Sequence, residues 1–249
     1  MDIAIVAELL EDSAHIEEVA DHAGCTYTRA SLETVDSADV CAIPVQGSER
    51  VTTAVESAIS TPLLPIETKS GIGSVSIHET REAISAISNG DYATVERSAL
   101  TIEQQETDVE IALFEVLFVT EEPAAISEFS IGTPQGTIAE YRADGVIVAT
   151  AAGSSGYARR VGSPMLSPEV PGASVTTIAP YKIDPDHWVI GDPGIRIEVT
   201  RDESNVIMLA DEKEIGTITP KQPVFLKLDR RFRTVTVPQS TSVFERHRQ

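Results

Sequence analysis

The chain has 249 residues, of which 41% are hydrophobic and 23% charged, and this is enough to build one large domain or two smaller ones. Its formal net charge of −20, from 39 acidic and 19 basic residues, opposes non-specific nucleic-acid binding, which needs a basic surface. The apolar runs are shorter than the roughly 18 residues of a membrane helix, and the N-terminal stretch MDIAIVAELLEDS lacks the basic segment of a signal peptide. We therefore expect a cytoplasmic protein with neither a nucleic-acid nor a membrane partner.

The first 90 residues alternate between strand and helix patterns. IAIVA predicts a buried strand, and the apolar spacing that follows predicts a helix ending at Gly24. ADVCAIPV predicts a second strand, followed by QGSER and a helix to about Ile59 that the proline-containing TPLLPIE breaks. SIHETREAISAIS predicts a further helix ending at Asn89-Gly90. This alternation predicts a parallel sheet covered by helices on both faces.

The two cysteines, Cys25 and Cys41, have neither a Cys-x-x-Cys spacing nor clustered histidines. They therefore give no zinc signature and no disulfide framework. Both lie on expected strands, where a thiol is interpreted as a small core residue. The sequence accordingly predicts no metal site.

After Tyr92 the pattern becomes one of strands separated by turns, and only the segment after Thr150 looks helical. The strand-like runs are LTIEQQE, VEIALFEVLFVT, AISEFSIGT, GTIAEYR, GVIVAT, SVTTIAP, GIRIEVT, NVIMLA, EIGTITP and VFLKLD. We expect an α/β Rossmann-like domain over residues 1–92 and a β-rich sandwich domain over 93–235. The tail, 236–249, is expected to pack back on the first domain.

A loop of small residues follows the buried run Val146–Ala149. Its residues Thr150, Gly153, Ser154 and Ser155 bring hydroxyls and backbone N–H groups to the start of a helix, an arrangement that suits a phosphate or a ribose. Tyr157 could stack on a base, and Asp144, at the entry of the strand, could accept hydrogen bonds from ligand hydroxyl or amino groups. The alternative is a Gly/Ser turn with a capping serine.

This segment resembles the NAD kinase family, whose pattern runs approximately D-G-[LV]-I-[VL]-[AS]-T-P-T-G-S-T-A-Y and continues to Gly-Gly-Pro. Asp144-Gly145, Thr150, Gly153-Ser154 and Tyr157 match it, Ser155 replaces Thr, and Gly162-Ser163-Pro164 stands near the Gly-Gly-Pro; Ala151, Ala152 and Gly156 depart from it. The resemblance implies a Rossmann-like domain joined to a β-sandwich, and phosphorylation of the 2′-hydroxyl of the adenosine ribose of NAD. It also implies that residues 150 and 153–157 bind the dinucleotide, Gly156 included.

Two further positions are assigned by the resemblance. Glu115 matches the Glu of the family's Asn-Glu pair and is expected to hold ribose hydroxyls, although Phe114 stands where Asn belongs. A phenyl ring cannot replace the donor and acceptor of an amide, so this edge of the site is weakened or built differently. Asp211 matches the acid of a late Asp-Gly turn, with Glu212 in place of Gly, and the resemblance implies that it also binds the cofactor.

The family's Gly-Gly-Asp-Gly signature is altered in this chain. Its glycines admit the donor phosphates and its Asp activates the attacking hydroxyl, but here PVQGSERV follows the strand. One register places Gly47 at the position of the Asp. A shift of two residues instead assigns Gly47 and Ser48 to the phosphates and Glu49 to the base, with Arg50 at the last Gly; the alternative for Glu49 is a solvated acid in the first turn of a helix.

Three functions stay open. The first is an NAD kinase that uses ATP or polyphosphate with Mg²⁺, with NAD or NADP as cofactor-type ligand. The second is a catalytically inactive or repurposed member that binds a related adenine dinucleotide and regulates a partner, and the third is an oligomeric structural module. We expect a small-molecule nucleotide as partner and a homo-oligomer, dimer or tetramer. The acid excess with only 5 Lys against 14 Arg resembles the proteins of salt-loving archaea and predicts a halophilic protein.

Overall fold

A computed structural model of the chain describes most of it, namely residues 2–5, 17–22, 24–29, 35, 38–44, 49–57, 60–68, 71–104, 109–122, 125–183, 185–192, 194–202, 204–241 and 244. The chain divides into two units. The first consists of Met1–Arg97 together with Arg231–Gln249, and the second of Ser98–Arg230. None of the helices in the described part of the chain is long and apolar enough to cross a membrane.

The first unit contains a parallel sheet. Its strands lie in the order β2-β1-β3-β4 and are β1 (Asp2–Ile5), β2 (Thr26–Arg29), β3 (Val40–Pro44) and β4 (Leu63–Ile66). The end of a later strand, β16 (Val224–Thr236), joins β4 in parallel at Thr234. The helical segments are residues 17–22, α1 (Glu49–Glu56), a 3₁₀ turn (Ile77–Glu79) and α2 (Thr80–Ser88). The predicted alternation of strands and helices is confirmed here.

The turns of this unit use glycine where the backbone requires it. Gly24 and Gly90 have φ values of +67° and +79°, in the left-handed region that glycine adopts without a steric penalty. Helix α2 buries Ala83, Ile84 and Ile87, the spacing of one helix face, against the sheet. The sequence predicted that a helix ends at each of these two glycines.

The segment TPLLPIE was expected only to break a helix, and it also forms the buried strand β4. Its Pro65 retains a carbonyl that accepts the Val75 N–H at 2.9 Å, so the missing proline N–H does not prevent pairing on that side. The other proline, Pro62, precedes the strand, and Leu63, Leu64 and Ile66 of β4 are fully buried.

The second unit is a sandwich of two antiparallel sheets. Its strands are β5 (Ala93–Glu103), β6 (Glu110–Ala112), β7 (Glu115–Thr120), β8 (Ser127–Thr133), β9 (Gly136–Ala143), β10 (Gly145–Ala149), β11 (Ala173–Ile178), β12 (Trp188–Ile190), β13 (Ile195–Arg201), β14 (Val206–Ala210), β15 (Lys213–Ile218) and β16 (Val224–Thr236). One sheet has the order β12-β11-β10-β7-β14-β15, and the other contains β16-β13-β8-β9 with β5 and β6. Strands β5 and β16 are each continuous with the first unit. The expected β-rich sandwich is confirmed.

The register of the first of these sheets decides which side chains enter the core. Val146 and Val148 of β10 lie opposite Phe118 and Val116 of β7, and these four residues belong to the sandwich core. The alternate residues of β10, Ile147 and Ala149, face the other way and pack against Ala158. Strand β10 therefore carries a second, small apolar cluster on its outer face, below the loop that follows it.

Candidate nucleotide site

The loop predicted to bind a ligand lies at the end of β10. Residues 150–156 form a series of turns, and helix α3 (Tyr157–Arg160) follows. This helix has a single turn, and Ala158 anchors it on the outer face of β10. The predicted order of strand, small-residue loop and helix is therefore present.

Thr150 closes the base of the loop. Its buried hydroxyl donates to the Leu113 carbonyl at 2.6 Å and accepts the Gly153 N–H at 3.2 Å. The Thr150 N–H donates to the Phe114 carbonyl at 2.9 Å. The polar groups of Thr150 are thus used inside the protein, where they join the loop to the segment before β7.

Gly153 and Ser154 form the inner wall of the loop. A Cβ atom on Gly153 would overlap the Phe114 carbonyl oxygen and lie only 2.5 Å from the carbonyl carbon, so the backbone would have to shift. The Ser154 hydroxyl is fully buried, donates to the Ala151 carbonyl at 2.8 Å and accepts the Leu166 N–H at 2.9 Å. Both residues hold the conformation of the loop.

Ser155, Gly156 and Tyr157 form its outer side. The Ser155 residue is half-buried, but its hydroxyl oxygen is buried and lacks a hydrogen-bond partner among the described residues. Gly156 is exposed, and Tyr157 has 39% of its surface exposed. Because a buried unpartnered hydroxyl is uncommon in proteins, Ser155 stands out within this loop.

Glu115 lies beside the start of α3. It is the first residue of β7, opposite Ala149 in the ladder, and its Oε2 accepts the Ala158 N–H at 3.3 Å. A Cβ atom on Gly156 would lie 3.7 Å from the same oxygen. The structure therefore places Glu115 beside the outer side of the loop.

Asp211 lies in the turn between β14 and β15, with a φ of +48°. Its carboxylate accepts three consecutive backbone N–H groups, from Leu113 at 2.7 Å, Phe114 at 2.8 Å and Glu115 at 3.0 Å. The Asp211 N–H in turn donates to the Glu115 carbonyl at 3.0 Å. The carboxylate is therefore engaged with the backbone that precedes β7.

Asp144 lies at the opposite end of β10 from Thr150. The five residues of β10 separate the two, and the six steps from Asp144 to Thr150 correspond to about 20 Å at roughly 3.4 Å per residue. The Asp144 carbonyl accepts the Thr120 N–H at 3.1 Å, and the residue is half-buried. Only a ligand as long as a dinucleotide could contact both ends of this strand.

The structure describes only some of the residues assigned to the altered glycine signature. Gly47 and Ser48 lie outside the described residues. Glu49 begins helix α1, directly after them. Glu49 thus lies in the first turn of a helix, and its role as a base stays a prediction.

Sequence reasoning missed the backbone partners that hold the loop. The carbonyls of Leu113 and Phe114 and the N–H of Leu166 carry no sequence signal, because any residue supplies them. Arg159 and Arg160 were not assigned a role either; both are exposed in the last turn of α3, where a cation interacts favourably with the helix dipole. The sequence signal that could have drawn attention to these two arginines is that they are adjacent basic residues.

Comparisons with known proteins show which proteins this chain is similar to. Residues 113–235 match the family model of the ATP-NAD kinase C-terminal domain. The NAD kinase of Methanothermobacter thermautotrophicus is 29% identical over 153 residues, which are 60% of this chain and 53% of that protein. The chain thus spans about half the length of this relative in the alignment.

Two solved structures are similar over nearly the whole chain. An NAD kinase from Archaeoglobus fulgidus in complex with ATP has a TM-score of 0.70 at 18% identity, and the match covers 96% of this chain and 94% of that one. Yeast NADH kinase complexed with NADH has a TM-score of 0.74 at 14% identity, covering 99% and 85%. The fold is therefore that of the nucleotide kinases that act on NAD and NADH. Residues 113–235 are therefore similar to the C-terminal domain of ATP-NAD kinases, and the fold is similar to that of solved NAD kinases over nearly the whole chain.

Proposed function

We propose that this chain binds an adenine dinucleotide, NAD(H) or NADP(H), through the outer side of the loop after β10. The observation that carries this proposal is the division of the loop into two sides. Thr150, Gly153 and Ser154 use their polar groups and close contacts internally. Gly156 and Tyr157 are exposed beside Glu115, and the buried Ser155 hydroxyl has no hydrogen-bond partner among the described residues. The inner residues therefore serve the site by fixing its shape.

Each outer group has a role that suits a nucleotide. The exposed Tyr157 ring offers a face on which an adenine or nicotinamide ring can stack. A rotation of the Ser155 side chain brings its unpartnered hydroxyl to a phosphate or a ribose. A carboxylate has about four acceptor positions, so Glu115 can hold the Ala158 N–H and accept a ribose hydroxyl at the same time.

The experiment is calorimetric titration with NAD, NADP and ATP, at low and multimolar KCl. Replacing Tyr157 with Ala should weaken dinucleotide binding by about tenfold, since stacking of a base on an aromatic side chain is worth about 1–3 kcal/mol. Tyr181→Ala is the matched control because Tyr181 is another exposed tyrosine of the same unit, 80% accessible. Wild-type protein that binds none of the three nucleotides at any salt concentration would contradict the proposal.

Phosphoryl transfer is the second part of the proposed function, and the family's C-terminal domain supports it. The adenosine 2′-hydroxyl of NAD would attack the γ-phosphorus of ATP as the bond to the β–γ bridging oxygen breaks, giving NADP and ADP. The 2′-hydroxyl proton would pass to a base, and Mg²⁺ would arrive with the phosphates of the donor. Glu49 is the candidate base because α1 begins there, immediately after the altered glycine signature.

Activity is tested by NADP formation from NAD with ATP or polyphosphate, Mg²⁺ and high KCl. Glu49→Gln should lower turnover by a factor of about 10² to 10⁴ if Glu49 is the base, and unchanged turnover in an active protein would exclude it. Dinucleotide binding without NADP formation from any donor would favour a non-catalytic regulator. A chain that binds no nucleotide, and whose Tyr157→Ala variant keeps its stability and assembly, would favour a structural module.

A further inference from the structure

We infer that Asp211 is a positioning residue for the candidate nucleotide loop, and that it acts through the backbone of residues 113–115. This inference deepens the proposed function and rests on it for the identity of the ligand. It replaces a direct contact between Asp211 and the ligand, which the sequence suggested, with an indirect role. The argument starts from the three N–H groups that converge on the carboxylate.

Consecutive N–H groups that point at one place form a nest, a concavity that binds anions. In this chain the anion is part of the protein, because Asp211 Oδ2 accepts the Leu113 N–H and Oδ1 accepts the N–H groups of Phe114 and Glu115. Hydrogen bonds to a charged acceptor are about twice as strong as neutral ones. The nest at 113–115 is therefore filled by Asp211, and a ligand phosphate must bind elsewhere.

The segment held by Asp211 contacts the loop directly. The Leu113 carbonyl accepts the Thr150 hydroxyl, and the Phe114 carbonyl accepts the Thr150 N–H. The same Phe114 carbonyl fills the space that a side chain on Gly153 would need. Any shift of Phe114 would thus displace both the base and the inner wall of the loop.

The outer side of the site depends on the same segment through Glu115. Asp211 makes two hydrogen bonds with the Glu115 backbone. Its carboxylate accepts the Glu115 N–H, and its own N–H donates to the Glu115 carbonyl. The Glu115 carboxylate then caps the Ala158 N–H at the start of α3. One carboxylate therefore controls the positions of Phe114, Glu115 and α3 from a turn almost a hundred residues further along the chain.

The isosteric variant Asp211→Asn tests whether Asp211 positions the loop or only stabilises the second unit as a whole. An asparagine amide offers one oxygen, which can replace either Oδ1 or Oδ2. At the other position its NH₂ group faces a backbone N–H, and because both groups are donors the hydrogen bond there is lost. Asparagine also tolerates the left-handed backbone of residue 211, so the variant introduces little strain there. Glu212→Gln removes a charge from the same turn and is the matched control.

The measurement is amide hydrogen exchange on the full-length chain, combined with calorimetric titration. In Asp211→Asn we expect exchange at residues 113–115 and at 150–158 to accelerate at least tenfold, with no change in the β8 and β13 ladders. The dissociation constant of whichever nucleotide the wild type binds should rise at least tenfold. Glu212→Gln should behave like the wild type in both measurements.

Loss of protection at 113–115 without loss at 150–158 would overturn the inference, and so would a uniform loss across the second unit. If Asp211→Asn does not fold, Asp211→Glu keeps the charge but displaces the oxygens, and we expect the same local pattern with smaller amplitude. Full protection of both segments in that variant would also overturn it. If the wild type binds no nucleotide, the proposed function fails, while the exchange pattern still decides the role of Asp211.

Discussion

At the scale of single residues, the glycine at position 153 is required for packing. Its φ lies outside the left-handed region, so only the neighbouring Phe114 backbone excludes a side chain. Gly153→Ala should lower the free energy of unfolding by about 3 kcal/mol, as expected for overpacking of a rigid interior, and should be measured by urea denaturation. Gly136→Ala is the control, because a Cβ there has nothing within 4 Å and the φ of +157° leaves only backbone strain. Equal losses in the two variants would contradict the packing argument.

Thr150 is the second single residue on which the loop depends. Thr150→Val keeps the shape but removes a buried hydroxyl, which leaves the Leu113 carbonyl and the Gly153 N–H without this partner. We expect a loss of about 1–3 kcal/mol in unfolding free energy, the cost of unsatisfied buried polar groups. Thr150→Ser retains the hydroxyl and should lose less than half as much. If the two variants were equally stable, the hydroxyl would have no structural role.

At the scale of elements, the most instructive difference from the sequence-based expectation is a broken strand. VEIALFEVLFVT reads as one continuous strand, yet the structure divides it into β6 and β7 at Leu113-Phe114. Both residues are buried and apolar, so their composition gives no sign of a break. The break is held by Asp211, about a hundred positions away, and local patterns cannot report such a contact.

A second connection between elements joins β9 to the segment before β12. The Tyr141 hydroxyl donates to Asp186 Oδ2 at 2.9 Å, and Lys182 Nζ lies 3.3 Å from the same oxygen and 5.0 Å from the centre of the Tyr141 ring. The hydrogen bond from Tyr141, and then that from Lys182, lower the pKa of Asp186 from its ordinary value. Tyr141 also packs edge-on against Trp188 at 5.7 Å.

This connection predicts a pH dependence with a definite sign. Because the pKa of Asp186 is lower in the folded state, its ionised form stabilises the fold above the pKa of the unfolded chain, and this stability is lost as the pH falls through the folded-state pKa. Tyr141→Phe removes the largest cause, so the pKa of Asp186 should rise towards its ordinary value, as measured by NMR titration of the carboxyl carbon. Lys182→Met removes both the hydrogen bond and the charge of the ammonium group, so it should also raise the pKa of Asp186. An unchanged pKa of Asp186 in both variants would contradict the role of this network.

At the scale of the whole molecule, two sequence patterns were enough to predict the folds of the two units. These patterns are the alternation of strands and helices in the first 90 residues and the succession of strands after Tyr92. They succeed because each strand or helix follows the periodicity of its own residues, as Ala83, Ile84 and Ile87 show for α2. The small-residue loop after β10 was predicted from the sequence, and the role of its residues in binding stays a prediction. Their sorting into inner and outer sides was not predicted. Thr150 and Ser155 are both hydroxyl residues in one loop, and only tertiary contacts make one a support and leave the other unpartnered.

The net charge of −20 is the property of the whole molecule with the most direct consequence for stability. There are 39 acidic and only 19 basic residues, so even complete one-to-one pairing would leave 20 acidic residues in excess. Individual surface pairs, such as Lys227 with Glu103 at 2.8 Å, weaken as salt is added, but each contributes at most about 1 kcal/mol. Repulsion among the excess acids weakens as well, and it is the larger effect.

We therefore expect the melting temperature to rise with KCl. The Debye length falls from about 10 Å at 0.1 M to about 3 Å at 1 M, which screens acids that lie on different strands. A gain of about 2 kcal/mol would raise the melting temperature by roughly 4–8 °C for a chain of this size, as measured by calorimetry from about 0.1 to 3 M KCl.

The control for this expectation is a variant with less charge and the same fold. Replacing Glu140, Asp192, Asp202 and Glu214 with the corresponding amides removes four negative charges from exposed positions outside the candidate site. Its melting temperature should be higher than that of the wild type at low salt, and the difference should shrink as KCl is added, because screening and neutralisation relieve the same repulsion. A wild-type melting temperature that stays flat or falls with KCl would show that the excess charge is not what limits the stability of this chain.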